Sequence, residues 1–180
     1  MKLHEGQAAI NFEVDDIAGN RLVLNNFFDR PILVSFYRYA SCPLCNIRLN
    51  ELIERYPVYK DAGLVVIAFF QSPPESIQKY VTSKHPLPFP IIADPSHTIY
   101  QKYGVTSSRW GYIKGLFLLH RFIKAFRRGF WLGKMESKFT LIPADFLIRD
   151  SKIIKAYYGT NIGDHLPFVE IEKFLNLQDV

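Results

Sequence analysis

The chain contains two cysteines, Cys42 and Cys45, separated by two residues. An apolar run from Ile32 to Tyr37 precedes them and predicts a strand. Apolar residues at helical spacing follow, from Pro43 to about Tyr56. A Cys-x-x-Cys motif between a strand and a helix is typical of dithiol redox centres. The sequence therefore predicts reversible oxidation chemistry at this pair of thiols.

Cys42 is the expected nucleophile because it falls at the start of the predicted helix. Unpaired backbone N–H groups and the positive end of the helix dipole favour a thiolate there, and a lowered pKa makes a cysteine reactive at neutral pH. Cys45 lies one turn further on the same side, where it can attack a sulfur intermediate on Cys42 and close a disulfide. Pro43 suits the first helical position, since it has no N–H to leave unpaired.

Two other uses of the cysteine pair remain open. Half of a zinc site would need two further ligands at a recognisable spacing, and the five histidines are scattered along the chain. Free cysteines can also be inert core residues. We favour the redox interpretation because the pair stands at a strand-to-helix turn, and we expect neither a metal nor another cofactor.

Length and composition indicate a globular protein. The 180 residues, 48% of them hydrophobic, suit one domain spanning residues 1–180. No apolar run approaches the roughly 20 residues that span a bilayer, and no apolar signal region follows the N-terminus. Two cysteines confined to one motif fit a reducing compartment, so we expect a cytoplasmic location.

Strand and helix patterns alternate along the first hundred residues. Ser72 is expected to cap the helix that follows it, and Asp94 the next one. This order predicts a sheet with helices on its faces. The predicted strands are Phe12 to Val14, Arg21 to Val23, Ile32 to Tyr37, Leu64 to Phe70 and Ile91 to Ala93, and the helices after the cysteines run from Ser72 to about Ser83 and from Asp94 to Tyr103.

The C-terminal part predicts a hairpin and a last helix. Strands from Ala144 to Arg149 and from Ile153 to Tyr158 enclose a tight turn, and an amphipathic helix runs from Pro167 to Leu177. With the cysteine-bearing half, this order is the thioredoxin topology. Pro143, directly before a strand beside the redox turn, is a candidate cis-proline that would expose backbone next to Cys42; an ordinary trans proline is the alternative.

Several short stretches resemble the AhpC/TSA group of peroxiredoxin-like proteins. They cover most of the chain in the expected order, which implies a thioredoxin-like fold with a central mixed sheet, flanking helices and additional N-terminal strands. The stretches are Phe36 to Arg38 with Cys42 to Asn46, Ala93 to Pro95, Tyr103 to Val105, Pro143 to Ile148, Ala156 to Gly159 and Ile162 to His165.

The resemblance implies thiol-based peroxide reduction. Cys42 would be the attacking cysteine and Cys45 the resolving one, with an external thiol system such as thioredoxin reducing their disulfide. Typical peroxiredoxins carry Thr or Ser three residues before the attacking cysteine and Pro seven before it, where this chain has Tyr39 and Ser35. Expected supporting residues are Arg38, Ser41, Pro43 and Pro143.

A basic segment is inserted at about residues 107–140, here called the inserted segment. From Arg109 to Lys138 it carries eight Lys or Arg and one acidic residue, which leaves the rest of the chain at about −2. Residues Trp110 to Leu132 predict an amphipathic helix. Its expected apolar face comprises Tyr112, Leu116, Leu119, Ile123, Phe126 and Phe130, and its basic face Lys114, Arg121, Lys124 and Arg128.

This segment has three interpretations. It packs over the domain or forms a homodimer contact, or residues 110–132 make a weak contact with an anionic membrane surface. Nucleic-acid binding is not expected, because one basic helix with interleaved aromatics is a weak signal. Asp164 and His165 are expected to cap the last helix rather than to take part in function.

The sequence thus predicts a thiol-dependent redox enzyme that reduces peroxides. The enzymatic alternative is a thiol-disulfide oxidoreductase acting on protein substrates. The alternative from another class is a redox-sensing module that docks on a membrane or partner through its basic helix.

Overall fold

The computed structural model describes residues 1–84, 87–136 and 138–177. A five-stranded sheet lies at its centre in the order β5-β4-β3-β6-β7, and a separate two-stranded sheet pairs β1 with β2. The strands are β1 (Glu13–Asp15), β2 (Arg21–Val23), β3 (Ile32–Phe36), β4 (Val65–Phe70), β5 (Ile91–Ala93), β6 (Ala144–Arg149) and β7 (Lys152–Tyr158).

The central sheet is mixed. Strands β3, β4 and β5 are parallel, whereas β6 and β7 run antiparallel to their neighbours. The β6–β7 turn is tight, with positive φ angles of 50° and 60° at Asp150 and Ser151. The predicted thioredoxin-like α/β architecture, including the additional N-terminal strands, is confirmed.

Helices cover both faces of the sheet. They are α1 (Pro43–Asp61), α2 (Pro74–Ile77, continued by a π-helical turn at Gln78–Thr82), α3 (Thr98–Lys102), α4 (Arg109–Leu116), α5 (Leu119–Arg127) and α6 (Phe168–Phe174). Among the described residues, no helix is long and apolar enough to cross a membrane.

Strands β3 and β4 are buried on both faces, so successive side chains enter two different cores. Leu33 and Val66 belong to the core shared with α1, whereas Val34 and Ile67 belong to the core shared with α3. Both cysteines lie in the first of these cores. The central position of β3 therefore carries the Cys-x-x-Cys turn to the edge of the main core.

Two predicted helix caps have different outcomes. The carboxylate of Asp94 accepts hydrogen bonds from the N–H groups of Thr98 and Ile99, at 2.9 and 2.7 Å, so it pairs the first donors of α3 as predicted, although the helix begins four residues later than expected and its cap residue is His97. The capping role predicted for Ser72 is wrong. Its hydroxyl instead accepts the N–H of Ala40 at 2.8 Å, which ties the loop before the cysteines to the end of β4.

Helix α1 extends five residues beyond its predicted end and contains Pro57. Tyr59 in its last turn is fully buried, and its hydroxyl donates to Glu172 Oε1 at 2.8 Å. This burial and hydrogen bond hold the last turn against α6 despite the proline.

The inserted segment contains two helices rather than one. Helix α4 ends with Phe117 as its C-terminal cap, Leu118 packs against the main core, and α5 then begins at Leu119. Because the helix is interrupted here, the side chains of α5 point in other directions than they would in the single predicted helix. Leu119 and Ile123, expected on the inner face, are exposed at 66% and 53%.

The basic face of α5 is correspondingly turned toward the cysteine-bearing helix. Lys124 Nζ lies 2.6 Å from Glu51 Oε1, and Arg128 Nη1 lies 2.7 Å from Glu54 Oε1. Ala125 packs between them against Ile47 of α1. The prediction that the inserted segment packs over the rest of the chain is confirmed for this inner side.

Helix α4 approaches its neighbours through two glycines. A Cβ atom at Gly115 would lie 2.1 Å from Cγ1 of Ile162, and one at Gly111 would lie 2.7 Å from Cδ1 of Ile142. Side chains at these two positions would push α4 away from the C-terminal half of the chain.

Replacing Gly115 by alanine is expected to lower the free energy of unfolding. Alanine gains about 1 kcal/mol of helix propensity over glycine, but overpacking against Ile162 costs about 1–3 kcal/mol. Urea denaturation followed by circular dichroism measures the balance. Lys114→Ala, on the exposed side of α4, is the control and should change stability by about 0.5 kcal/mol at most. A Gly115→Ala variant more stable than wild type would contradict this packing.

Candidate active site

Cys42 is the residue that caps the N-terminus of α1. Its backbone is extended, with φ −72° and ψ 118°, and Pro43 occupies the first helical position as predicted. The backbone N–H groups of Leu44 and Cys45 lie in the first turn of α1, next to this sulfur, and favour its ionised form. Both cysteines are free thiols, each with 1% of its surface exposed.

Arg38 places a positive charge beside Cys42. Its Nη1 donates a hydrogen bond to Cys42 Sγ at 3.3 Å, and its Nη2 donates to the carbonyl of Phe139 in the inserted segment. The side chain is 1% exposed and lies against the ring of Tyr39, 5.0 Å from the ring centroid. A guanidinium so shielded from water interacts with the sulfur far more strongly than it would at the surface.

These contacts shift the pKa values of the two cysteines in opposite directions. Burial works to raise the pKa of Cys42. The hydrogen bond from the Cys45 thiol, the Arg38 charge and the two backbone N–H groups overcome it and lower the pKa from 9.0 to about 6. Burial, the hydrogen bond to Cys42 and the negative charge there raise the pKa of Cys45 well above 9.0. At neutral pH the pair is a thiolate at Cys42 and a thiol at Cys45.

The thiolate absorbance of the reduced protein is expected to appear with a midpoint near pH 6. An ordinary cysteine titrates at about 8.5. Ultraviolet absorbance against pH, on the folded protein, measures this midpoint. Cys45→Ala removes a hydrogen bond to the thiolate, so its midpoint should be higher than that of wild type. A single midpoint near 8.5 in both proteins would contradict the arrangement.

A cavity of about 220 Å³ reaches Cys42 from the side of the inserted segment. Its lining includes four residues of the redox turn: Arg38, Tyr39, Cys42 and Pro43. Most of the remaining lining belongs to the inserted segment and is apolar: Tyr112, Leu116, Phe122, Leu132, Gly133 and Met135, with Ile162 completing the wall. Sequence reasoning did not place these residues at the site.

The backbone carbonyls of Lys134, Lys138 and Phe139 hold this part of the inserted segment over the redox turn. Ser41 Oγ donates to the carbonyl of Lys134 at 2.6 Å, and Gln71 Nε2 donates to that of Lys138 at 3.1 Å. Arg38 donates to Phe139, as described above. Because a Cβ at Gly133 would lie 2.8 Å from that of Ser41, the segment also approaches the turn closely at this point. The inserted segment is therefore part of the wall around Cys42.

The hydroxyl groups near Cys42 have other partners. Ser41, named as a supporting residue, directs its proton to Lys134. Ser35 donates to Asp145 Oδ1 at 2.5 Å, across the β3–β6 pairing. Tyr39 lines the cavity at the position where typical peroxiredoxins carry Thr or Ser. Arg38 is therefore the donor that the structure directs at the Cys42 sulfur from outside the helix.

The cis conformation predicted for the peptide bond before Pro143 is wrong: this bond is trans, the form that X–Pro bonds prefer by about 0.5–1 kcal/mol. The Pro143 carbonyl accepts the N–H of Gly159 at 3.0 Å and so continues the β6–β7 pairing. Pro143 lines a separate pocket with Lys2 and Ser108, not the cavity at Cys42.

Sequence reasoning missed a buried polar cluster beneath the redox turn. Asp145 accepts hydrogen bonds from Ser35, from the N–H of Leu166 at 2.7 Å, and at its Oδ2 lies 3.0 Å from His165 Nδ1. Burial works to raise the pKa of Asp145, but His165, Arg48 and the hydrogen bonds lower it below the usual range. The only signal in the sequence was an aspartate inside an otherwise apolar strand pattern.

The predicted capping role of Asp164 and His165 is also wrong. Helix α6 begins after Pro167, which has no side-chain donor or acceptor to cap with. Asp164 Oδ2 instead accepts the N–H of Thr160 at 2.7 Å and closes the loop after β7. His165 packs on Tyr37, with ring centroids 4.7 Å apart. In the described part of the chain, no group of three or more His, Cys, Asp or Glu residues could hold a metal ion.

Comparison with known proteins agrees with this arrangement. The sequence pattern of the AhpC/TSA family matches residues 6–157. The chain belongs to the AhpC/TSA family. Within that match lie both cysteines, Arg38, Asp145 and the inserted segment.

Relatives of this AhpC/TSA protein include peroxiredoxins and thiol-disulfide oxidoreductases. It is 30% identical over 114 residues to a chloroplastic peroxiredoxin Q of Populus jackii, which covers 63% of this chain and 53% of the relative. It is 28% identical over 101 residues to the thiol-disulfide oxidoreductase ResA of Halalkalibacterium halodurans, covering 56% of each. The chain thus spans about half the length of the curated relatives it matches.

Solved structures show the same fold as this AhpC/TSA protein. A mutant peroxiredoxin 6 of Arenicola marina superposes with a TM-score of 0.72 at 17% identity, over 97% of this chain and 72% of the other. A putative thiol:disulfide interchange protein DsbE of Chlorobium tepidum superposes with a TM-score of 0.65 at 17% identity, over 97% and 96%.

Proposed function

We propose that the protein is a thiol-dependent peroxidase in which Cys42 attacks the peroxide and Cys45 resolves the product. The observation that carries this proposal is the geometry at Cys42: its sulfur lies at the N-terminus of α1, accepts a hydrogen bond from the buried Arg38 at 3.3 Å, and has Cys45 one turn further along the same helix. Membership of the AhpC/TSA family and the similarity to peroxiredoxin Q support it.

The reaction runs in three steps. The Cys42 thiolate attacks one peroxide oxygen and breaks the O–O bond; the departing oxygen takes up a proton and leaves as an alcohol or water, and Cys42 becomes a sulfenic acid. The Cys45 sulfur then attacks the sulfenic sulfur, and water leaves as the disulfide forms. An external dithiol, for which we propose a thioredoxin-like protein, returns both cysteines to thiols by exchange.

Arg38 has two proposed roles in the first step. It keeps Cys42 ionised, and its guanidinium lies where negative charge shifts from the sulfur to the departing oxygen. Pro43 fixes the start of α1, and Ser41 holds the inserted segment over the turn. No role at the sulfur is proposed for Pro143.

A second candidate is thiol-disulfide exchange with protein substrates. The similarity to ResA and the tyrosine at position 39 favour it. The size of the cavity favours peroxide: about 220 Å³ holds about seven water-sized molecules at about 30 Å³ each, and not a polypeptide loop. With Cys42 1% exposed, a protein disulfide, like the proposed thioredoxin-like reductant, reaches the cysteines only after the inserted segment moves.

Steady-state assays separate the two candidates. With thioredoxin, its reductase and NADPH, wild type is expected to consume hydrogen peroxide and Cys42→Ser is not. Reduction of insulin disulfides, followed by turbidity, should stay near the uncatalysed rate. Insulin reduction that depends on Cys42, without peroxide consumption, would replace the peroxidase proposal by the exchange reaction.

We also propose that residues 1–180 work as one redox domain with residues 107–140 inserted, because this segment walls the cavity and is ion-paired to α1. A reducing compartment such as the cytoplasm is the proposed location, since the two cysteines of the chain form a single motif.

A further inference from the structure

The outer side of the inserted segment is unusually apolar for a protein surface. Ten of the fourteen large hydrophobic side chains that are exposed in the described residues lie between positions 110 and 139. Scattered exposed hydrophobic residues are normal, but a concentration of this kind marks an interaction surface.

Helix α4 arranges part of this patch as a stripe. Trp110, Ile113 and Phe117 follow one another at three- and four-residue spacing, so they share one face of the helix. The opposite face carries Gly111 and Gly115, which pack inward. Trp110 and Phe117 are 75% and 78% exposed, so this stripe points to solvent.

Helices α4 and α5 also carry cations that are unpaired among the described residues. Arg109, Lys114 and Arg127 are exposed and form no salt bridge with any residue the structure describes. Lys124 and Arg128 are instead neutralised by α1. The outer face therefore combines exposed aromatic and aliphatic groups with uncompensated positive charge.

We propose that the outer face of the inserted segment docks on an anionic phospholipid membrane. Tryptophan, phenylalanine and isoleucine side chains enter the boundary between headgroups and acyl chains, and lysine and arginine meet the lipid phosphates. Charge favours this occupant over a second copy of the chain, because face-to-face pairing would bring the same free cations together.

The docked face would also be the face on which the Cys42 cavity opens. Leu116, Leu132 and Met135 line that cavity and are themselves 46%, 62% and 57% exposed. Docking therefore places the cavity mouth at the membrane surface. The proposal itself stands apart from the redox chemistry, since it concerns binding alone.

The two tryptophans of the chain, Trp110 and Trp131, both lie in this patch, so intrinsic fluorescence reports on it directly. The reduced protein, residues 1–180, is mixed with vesicles of phosphatidylcholine alone or with added phosphatidylglycerol. A blue shift and co-sedimentation are expected with the anionic vesicles only, and both should reverse at high salt, which screens the attraction.

Surface variants test the site of contact. Lys114→Glu and Phe117→Ser are each expected to weaken binding to anionic vesicles about fivefold or more. Lys102→Glu makes the same charge change on α3, which packs on the other core, and should leave binding within about twofold. Circular dichroism checks that the variants fold.

Three results would overturn the proposal. The first is no binding to anionic vesicles at low salt. The second is equal weakening by Lys102→Glu and Lys114→Glu, which would make the attraction non-specific. The third is a concentration-dependent dimer in analytical ultracentrifugation that Phe117→Ser dissociates, which would assign the face to a second copy of the chain.

Discussion

Arg38→Met is expected to reduce the thiolate fraction of Cys42 at pH 7 from about nine-tenths to about half or less. The substitution removes the positive charge and the 3.3 Å hydrogen bond of Arg38, whereas Cys45 and the helix N-terminus still favour the thiolate, so the pKa of Cys42 should rise from about 6 to about 7 or above. Ultraviolet absorbance of the thiolate measures it.

The same variant should consume peroxide about a hundredfold more slowly, the usual cost of removing one donor from a developing negative charge. Arg38→Lys retains a cation and is the matched control; it should keep part of both the ionisation and the rate. A thiolate midpoint unchanged in Arg38→Met would show that the helix N-terminus and Cys45 suffice, and that Arg38 has no electrostatic role.

Asp145→Asn is expected to lower the free energy of unfolding by about 3 kcal/mol or more. The carboxylate is buried, accepts hydrogen bonds from Ser35 and Leu166, and is the strongest negative neighbour of the buried Arg48. Removing one partner of a buried charged group costs about 3–5 kcal/mol, a large share of the 5–15 kcal/mol typical of a domain. Urea denaturation measures the loss.

Glu170→Gln is the control for this variant, because it makes the same carboxylate-to-amide change at an exposed ion pair with Lys173. Its effect should be within about 1 kcal/mol. The pKa of Asp145 is lowered by folding, so its stabilisation is present above its ordinary pKa of 3.8 and is lost as the pH falls through the lower folded pKa. Equal effects of the two substitutions would contradict the assigned role of the cluster.

Local sequence signals predicted the elements that carry the cysteines. The Cys-x-x-Cys spacing, Pro43 and the continuous apolar strand runs each depend on residues a few positions apart, and all appear where expected. The helix cap at Asp94 succeeded for the same reason.

Long-range partners could not be predicted from such signals. The local sequence predicts Ser72 as a helix cap, but its hydroxyl accepts a hydrogen bond from the N–H of Ala40, 32 residues away. Asp145 and Ser35 lie 110 residues apart and meet because β3 pairs with β6. His165 likewise joins them only through the fold.

The orientation of the inserted segment was also not predicted from the sequence. Its charge and amphipathic character were visible, but the break at Phe117 and Leu118 reversed which side of α5 faces inward. Glu51 and Glu54 lie one turn apart on α1, as Lys124 and Arg128 do on α5, and this matching charge pattern was a usable signal for that orientation. The position of the inserted segment over Cys42 therefore depends on how α5 packs against α1, which the sequence of the segment alone does not reveal.

Mass spectrometry after a brief peroxide pulse, with a sulfenic-acid trap present, tests the central claim most directly. In Cys45→Ser the account predicts a trapped sulfenic acid at Cys42, and in wild type a disulfide between Cys42 and Cys45. Oxidation confined to Cys45, or an unmodified Cys42 in both proteins, would contradict the assignment of Cys42 as the attacking thiolate.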